Sequence, residues 1–290
     1  MKCFVENMKK FKFWDFKDSL DNYFFEFANI AQKVLFFLKS LSGKFNFMKK
    51  NSELKNIFKD KRGFLVANGP SINQQDLKPL KNEVTFFLNR GFLHKDYEYI
   101  KPKYHIFIDP KLATGEWDIT FLDEVVKKNP KVIFLLNSKW YYLDKFQPYI
   151  KDEKFKIYWV NMNLFPTPFH KNRKIDLTKI TYGLGAPGVA LISMMYMGMK
   201  NIYFVGYDGN GLCYELLNLD SHFYGTNPEN HKKTMSDYSR DLFMMSVGFK
   251  NLRNFNEYSK QIGVNVYNCT DGGALNMFDR KKFKNVLQEK

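Results

Sequence analysis

The sequence predicts a doubly wound α/β fold with a mostly parallel sheet and a helical N-terminal appendage. Three observations carry this. From residue 63 the chain repeats short β-rich runs separated by polar, helix-compatible segments. Several of the runs are apolar on successive residues, which suits strands buried on both faces of a parallel sheet. The runs end in Asn, Asp, Gly or Pro, the residues that close a strand and open a turn.

Taken in order, residues 1–60 form an N-terminal amphipathic segment and residues 61–290 the α/β domain. Between Tyr23 and Leu41, apolar residues recur at helical spacing, with Lys33 and Lys39 outside the stripe. Flanking stretches interleave Lys with Phe and Trp, a mixture suited to an anionic membrane face. The same stripe would also suit packing on the main domain or on a second copy. The expected strands are 63–67, 84–89, 104–109, 132–137, 156–161, 201–208 and 264–269, with helices over 118–128, 187–198 and 236–262. Methionines of the 187–198 segment read as core filler.

Composition bounds the rest. A chain of 290 residues, 44% hydrophobic and 18% aromatic, fills one large domain with an appendage and excludes wholesale disorder. Its 45 Lys and Arg against 30 Asp and Glu leave +15, a field that attracts polyanions. The basic residues are dispersed rather than gathered in a recognition motif, so nucleic acid is not the expected partner. Three cysteines without CxxC spacing indicate neither a disulfide framework nor a zinc site. No signal-peptide pattern and no apolar run of membrane-spanning length is present. The expected location is cytoplasmic, with room for peripheral attachment at the inner membrane.

In an open parallel sheet, ligands bind beyond the carboxyl ends of the strands. The first strand delivers Asn68-Gly69-Pro70-Ser71, where Gly69 allows close backbone approach and Ser71 suits a helix cap. The second delivers Asn89-Arg90-Gly91, an amide beside a guanidinium. The third ends at Asp109-Pro110. Gly183, Gly185 and Gly188 precede a helix whose start favours an anion, although their spacing is not a dinucleotide signature. Asp208 closes the sixth run as a candidate for ribose, acceptor or cation. His222, Tyr224 and His231 follow in a polar loop, and His is the usual base for a hydroxyl near neutral pH. The last run ends in Thr270-Asp271-Gly272-Gly273, with Arg280 as a candidate phosphate partner.

The segments "FLVANGPSINQQDL", "MGMKNIYFVGYD", "DSHFYG" and "VYNCTDGGALNMFDRKKF" resemble bacterial surface-polysaccharide proteins with a 6-hydroxymethylpterin diphosphokinase MptE-like domain, over roughly residues 60 to 285. The "NGPS" turn and the Asn after the second strand are also distantly similar to family 42 sialyltransferases, which use CMP-sialic acid without a metal. This second resemblance implies a Rossmann-like, GT-A-like variant. It implies that Asn68, Gly69, Ser71 and Asn89 contact the CMP part, that the 183–188 loop lies by its phosphate, and that Asp208 sits at the crevice floor. The family's base histidine position holds Thr226 here, which leaves His222. The expectation is a metal-independent glycosyltransferase with a CMP-sugar donor and an oligosaccharide or lipid-linked acceptor in capsule or lipooligosaccharide synthesis, with room for a homo-oligomer. In it, His222, Asp208 and Arg90 are catalytic, and Asp109 joins the donor-binding set. The alternative, from the first resemblance, is an ATP- and magnesium-dependent diphosphokinase using Asp109, Asp208 and Asp271.

Overall fold

The computed structural model describes residues 13–163, 174–181, 185–225 and 235–289. Its strands are β1 (Arg62–Val66), β2 (Val84–Leu88), β3 (Tyr104–Phe107), β4 (Ile133–Asn137), β5 (Lys156–Met162), β6 (Ile180–Thr181), β7 (Asn201–Val205), β8 (Asn265–Asn268) and β9 (Asp279–Arg280). Helices are α1 (Phe13–Leu41), α2 (Tyr97–Ile100), α3 (Pro110–Thr114), α4 (Phe121–Lys128), α5 (Gln147–Lys151), α6 (Gly185–Tyr196), α7 (Gly211–Leu216), α8 (Met235–Gln261) and α9 (Phe283–Gln288). All seven expected strands form, and the two-residue edge strands β6 and β9 are added to them.

Strand order is β6-β5-β4-β3-β2-β1-β7-β8-β9. Every pairing is parallel. The chain winds outward from β1 to β6 and then returns to lay β7 against the other side of β1. Winding reverses there, so the carboxyl ends of β1 and β7 flank the topological switch point.

The continuous apolar runs are explained by two buried layers. Along β1, Leu65 packs into one layer with α6 and the Leu252 and Phe255 side chains of α8, while Phe64 and Val66 pack into the other with Phe92, Tyr97 and Phe283. Each fully buried Leu or Phe contributes roughly 1.5–3 kcal/mol. The methionines are core, as expected: Met194, Met197 and Met199 are fully buried. Residues 46–58, which precede β1, also pack against the sheet. Asn51 is completely buried and its Nδ2 donates to the carbonyls of Trp159 (2.7 Å) and Leu177 (2.6 Å). Phe47 stacks on Tyr141 with ring centroids 3.7 Å apart.

Helix α1 begins ten residues before the expected Tyr23 and turns to the body a mixed face with Asn29, Gln32 and Phe36, not its wide apolar stripe. Asn29 is fully buried, and Gln32 Nε2 donates to the Met162 carbonyl at 3.0 Å. The apolar stripe, including Tyr23, Phe27 and Val34, faces outward. No described helix is long and apolar enough to cross a membrane.

Candidate functional site

At the switch point the β1 turn is held by β7. The Gly69 amide donates to the Gly206 carbonyl at 2.7 Å. A Cβ on Gly69 would stand 2.5 Å from Asp208 Cγ and 2.6 Å from the Gly206 carbonyl oxygen, so only glycine fits. Pro70 opens a 3₁₀ helix, Pro70–Gln74, rather than an α-helix, and Ser71 does not cap it. The Ser71 side chain instead donates to Asp208 Oδ1 at 2.5 Å, while its amide donates to Asp208 Oδ2 at 3.2 Å. Buried Asp208 thus clamps the turn. Burial raises its carboxyl above the ordinary value, and the two Ser71 bonds oppose that rise.

Asn68 is carried by the same turn. Its Nδ2 donates to the Leu88 carbonyl at 3.1 Å, tying the β1 end to the β2 end. Asn89 follows Leu88 in the left-handed region, φ 43°, a conformation Asn tolerates better than most residues. The Asn89 carbonyl meets His105 Nε2 at 2.7 Å, and Tyr97 supports the far side of that ring at 2.9 Å. Burial lowers the His105 pKa to about 3, so this histidine is a neutral strut. The Oδ1 atoms of Asn68 and Asn89 are both buried without a hydrogen-bond partner among the described residues. Two buried amide acceptors at the ends of adjacent strands invite a ligand that donates hydrogen bonds.

Arg90 is buried, its guanidinium over the rings of Trp117 (5.1 Å) and Phe121 (5.4 Å). Stacking of that kind orients a cation without neutralising it. His222 comes to the same region on the loop after α7. The Phe223 amide donates to the Asn68 carbonyl at 2.9 Å, and Asn73 Nδ2 donates to the Phe223 carbonyl at 3.0 Å. The loop is therefore fastened directly to the β1 turn. His222 stacks on Tyr224, centroids 5.0 Å apart, and its Nδ1 lies 3.0 Å from Ser221 Oγ. Burial is the main reason that its pKa falls below the ordinary 6.5. Glu215 opposes the fall, and the positive charges of Arg90 and Lys111 add to it.

Asp109 caps α3: its side chain accepts from the Lys111 amide at 3.0 Å. It thereby sets the start of the helix that carries Lys111, a contributor the sequence did not single out. Of the two glycines in Thr270-Asp271-Gly272-Gly273, Gly273 serves a close backbone approach, because a Cβ there would stand 2.7 Å from the Asp208 carbonyl oxygen, whereas a Cβ on Gly272 would meet nothing within 4 Å. Arg280 donates to the carbonyls of Thr270, Gly272 and Gly273, stitching that turn. Gly185, φ 67°, begins α6, and Gly188 is buried within it. Gly183, Thr226 and His231 lie outside the described residues. Among the described residues no group of three His, Cys, Asp or Glu side chains is gathered for a metal.

Two cavities lie nearby, one at the β6 edge and one that borders the Pro70–Gln74 turn and the 270–272 turn. One of about 590 Å³ separates α1 from β6, and another of about 890 Å³ lies beside the β8 end near Arg280. The convergence at β1 and β7 rests on hydrogen bonding and charge, not on cavity size.

No family model matches the chain, so the MptE-like resemblance has no support from that side. No curated protein matches it either. Among solved structures it is similar to the MAf glycosyltransferase of Magnetospirillum magneticum AMB-1, at 12% identity and a TM-score of 0.46, covering 86% of this chain and 39% of that one. It is also similar to the sialyltransferase CstII from Campylobacter jejuni in complex with cytidine-5′-monophosphate, at 13% identity and a TM-score of 0.42 over 77% of this chain and 85% of that one. A CST-II structure with trisaccharide acceptor and CMP gives 15% identity and a TM-score of 0.42, covering 76% and 86%. This chain spans about two-fifths of the length of the MAf enzyme.

Proposed function

We propose that the protein is a glycosyltransferase that moves a sugar from a CMP-activated donor to an oligosaccharide acceptor of the bacterial surface. The observation that carries this reading is a half-buried histidine, His222, whose pKa is lowered by burial and by two cations, Arg90 and Lys111. In the same region, Asn68 Oδ1 and Asn89 Oδ1 stand as buried acceptors without partners among the described residues.

Chemically, such a site needs a base, a counter-charge for the departing phosphate, and a hold on the nucleoside. With Nδ1–H donating to Ser221 Oγ, His222 Nε2 keeps the lone pair that takes the proton of the acceptor hydroxyl. That oxygen bonds to the anomeric carbon while the bond from carbon to phosphate oxygen breaks. Its electron pair leaves with the nucleotide, where Arg90 and Lys111 stabilise the charge. The two asparagine oxygens accept from ribose hydroxyls or from the exocyclic amine of cytosine. Two cations fill the charge-neutralising role that a metal plays elsewhere, so the proposed reaction is metal-independent. Asp208 serves as the clamp of the turn. The phosphotransferase alternative would need Asp109, Asp208 and Asp271 as metal ligands; the first two already accept hydrogen bonds from backbone amides, and the three are not gathered into one group among the described residues.

Thermal denaturation with CMP, a CMP-sugar, UDP, GDP and ATP, each with magnesium and with chelator, tests this. At a hundred times its dissociation constant, a ligand stabilises by about 2.7 kcal/mol. Stabilisation by CMP or the CMP-sugar in chelator is expected. Stabilisation by ATP with magnesium alone would replace the proposal with the phosphotransferase.

A further inference from the structure

The outward stripe of α1 has the spacing of a helix-pairing seam. From Phe16 to Leu41 eight of its exposed apolar positions advance by alternating steps of four and three residues, through Leu20, Tyr23, Phe27, Ile30, Val34 and Phe37, with Phe24, Leu35 and Leu38 exposed beside them. Each of these side chains is between 50% and 75% exposed. Alternation of three and four keeps a seam facing a second helix along its whole length, and eight positions without a break make four heptads' worth of core. A helix lying in a membrane interface requires only an apolar face, and it turns a cationic face to the headgroups. Here the opposite face is held against the protein's own body through Asn29 and Gln32.

We propose that the occupant of this seam is a second copy of the chain, its α1 antiparallel to the first. Antiparallel pairing places Phe16 against the partner copy's Leu41 position at both ends and Phe27 against the Ile30 position at the centre, using all eight residues in a two-fold arrangement. In the same register, Glu26 on one flank comes opposite the Lys33 position of the other copy, twice by symmetry. Parallel pairing instead sets Glu26 against Ala31 and Lys33 against Leu38, with no charge matched. The seam is roughly 38 Å long at 1.5 Å per residue. Half-exposed Phe, Tyr and Leu side chains offer roughly 100 Å² each, about 800 Å² per copy, the area of a standard stable interface. Helix α1 lies between the two sheets, so the two +15 bodies are held on opposite sides.

Sedimentation equilibrium of the full chain at about 10 μM, with and without anionic phospholipid vesicles, reads the association. Twice the 34.5 kDa monomer mass is expected, unchanged by lipid. Phe27→Glu with Ile30→Glu should give a monomer with the same circular dichroism. Orientation is read by disulfide trapping in a Cys3→Ser/Cys213→Ser background. Phe16→Cys should cross-link to Leu41→Cys when the two variants are mixed and should not cross-link to itself. A monomer, an assembly larger than two, a dimer that survives the glutamate pair, or self-cross-linking of Phe16→Cys would each overturn the proposal.

Discussion

At the scale of single residues, the site depends on which groups are neutral. His222 is pulled below 6.5 chiefly by burial, and Arg90 and Lys111 add to the effect. A base held this way is unprotonated at pH 7, and activity should fall only as pH drops below 6.5. Lys111→Met removes one of the opposing charges, so the ring should bind a proton more readily and its titration should move upward. A carbon-13 NMR titration of the His222 ring checks this without any substrate. A downward move, or none, means that Lys111 does not act on the ring. His222→Ala should cost about 10²–10⁴-fold in turnover. Asp208 carries the opposite sign. Its carboxyl titrates above the ordinary value, so the folded state binds a proton more tightly than the unfolded one. Its contribution to stability is fully present below the unfolded pKa and is lost as pH rises through the folded pKa. Asp208→Asn keeps an acceptor for the Ser71 amide and carries no charge. It should therefore match or exceed the wild-type melting temperature at pH 7, and the difference should shrink as pH falls toward 4.

At the scale of elements, the β1 turn is fixed by space. Gly69→Ala puts a methyl group within 2.6 Å of Asp208 and of the Gly206 carbonyl oxygen. Gly206→Ala would meet Ile72 Cγ2 at 2.3 Å from a backbone at φ 67°. Overpacking of this kind costs about 1–3 kcal/mol. Each variant should lower the melting temperature by several degrees, whereas a Gly248→Ala control, in α8 with nothing within 4 Å of the new methyl, should not. The sequence showed these elements unevenly, for physical reasons. Seven strands were legible because burial on both faces forces unbroken apolar runs. β6 and β9, Ile180–Thr181 and Asp279–Arg280, have two residues each and carry no hydrophobic pattern. Glycine and proline at the β1 end announced a turn but not whether it would be a 3₁₀ or an α-helix. In the site, Asn68, Asn89, Arg90 and His222 stood out as strand-end and loop polar residues. Lys111 did not, because one lysine among many has no local pattern. Its place follows only from the Asp109 cap and the return of the 221–225 loop across the sheet. The direction of the α1 stripe was also illegible, since periodicity gives a face and not the side on which the body sits.

At the scale of the whole molecule, the topology concentrates the chemistry. Nine parallel strands offer many carboxyl ends, yet the described contacts tie β1, β2, β7 and the His222 loop into one unit. The Gly69 amide reaches Gly206, Asn68 reaches Leu88, and the Phe223 amide reaches Asn68. A nucleotide bound there must restrain all four segments together, because opening any one of them breaks a bond to another. The sheet edges have no part in that unit. Hydrogen–deuterium exchange with saturating CMP in chelator should therefore slow the amides of 68–74, 89–93, 206–209 and 221–225 as a group. Those of β6 and β9 should exchange at unchanged rates. Protection centred instead on 174–181, which lines the cavity beside α1, would move the binding site to the β6 edge. That result would leave His222 without the role proposed for it. Uniform slowing across the chain would mean that CMP stabilises the fold globally and reports no particular site.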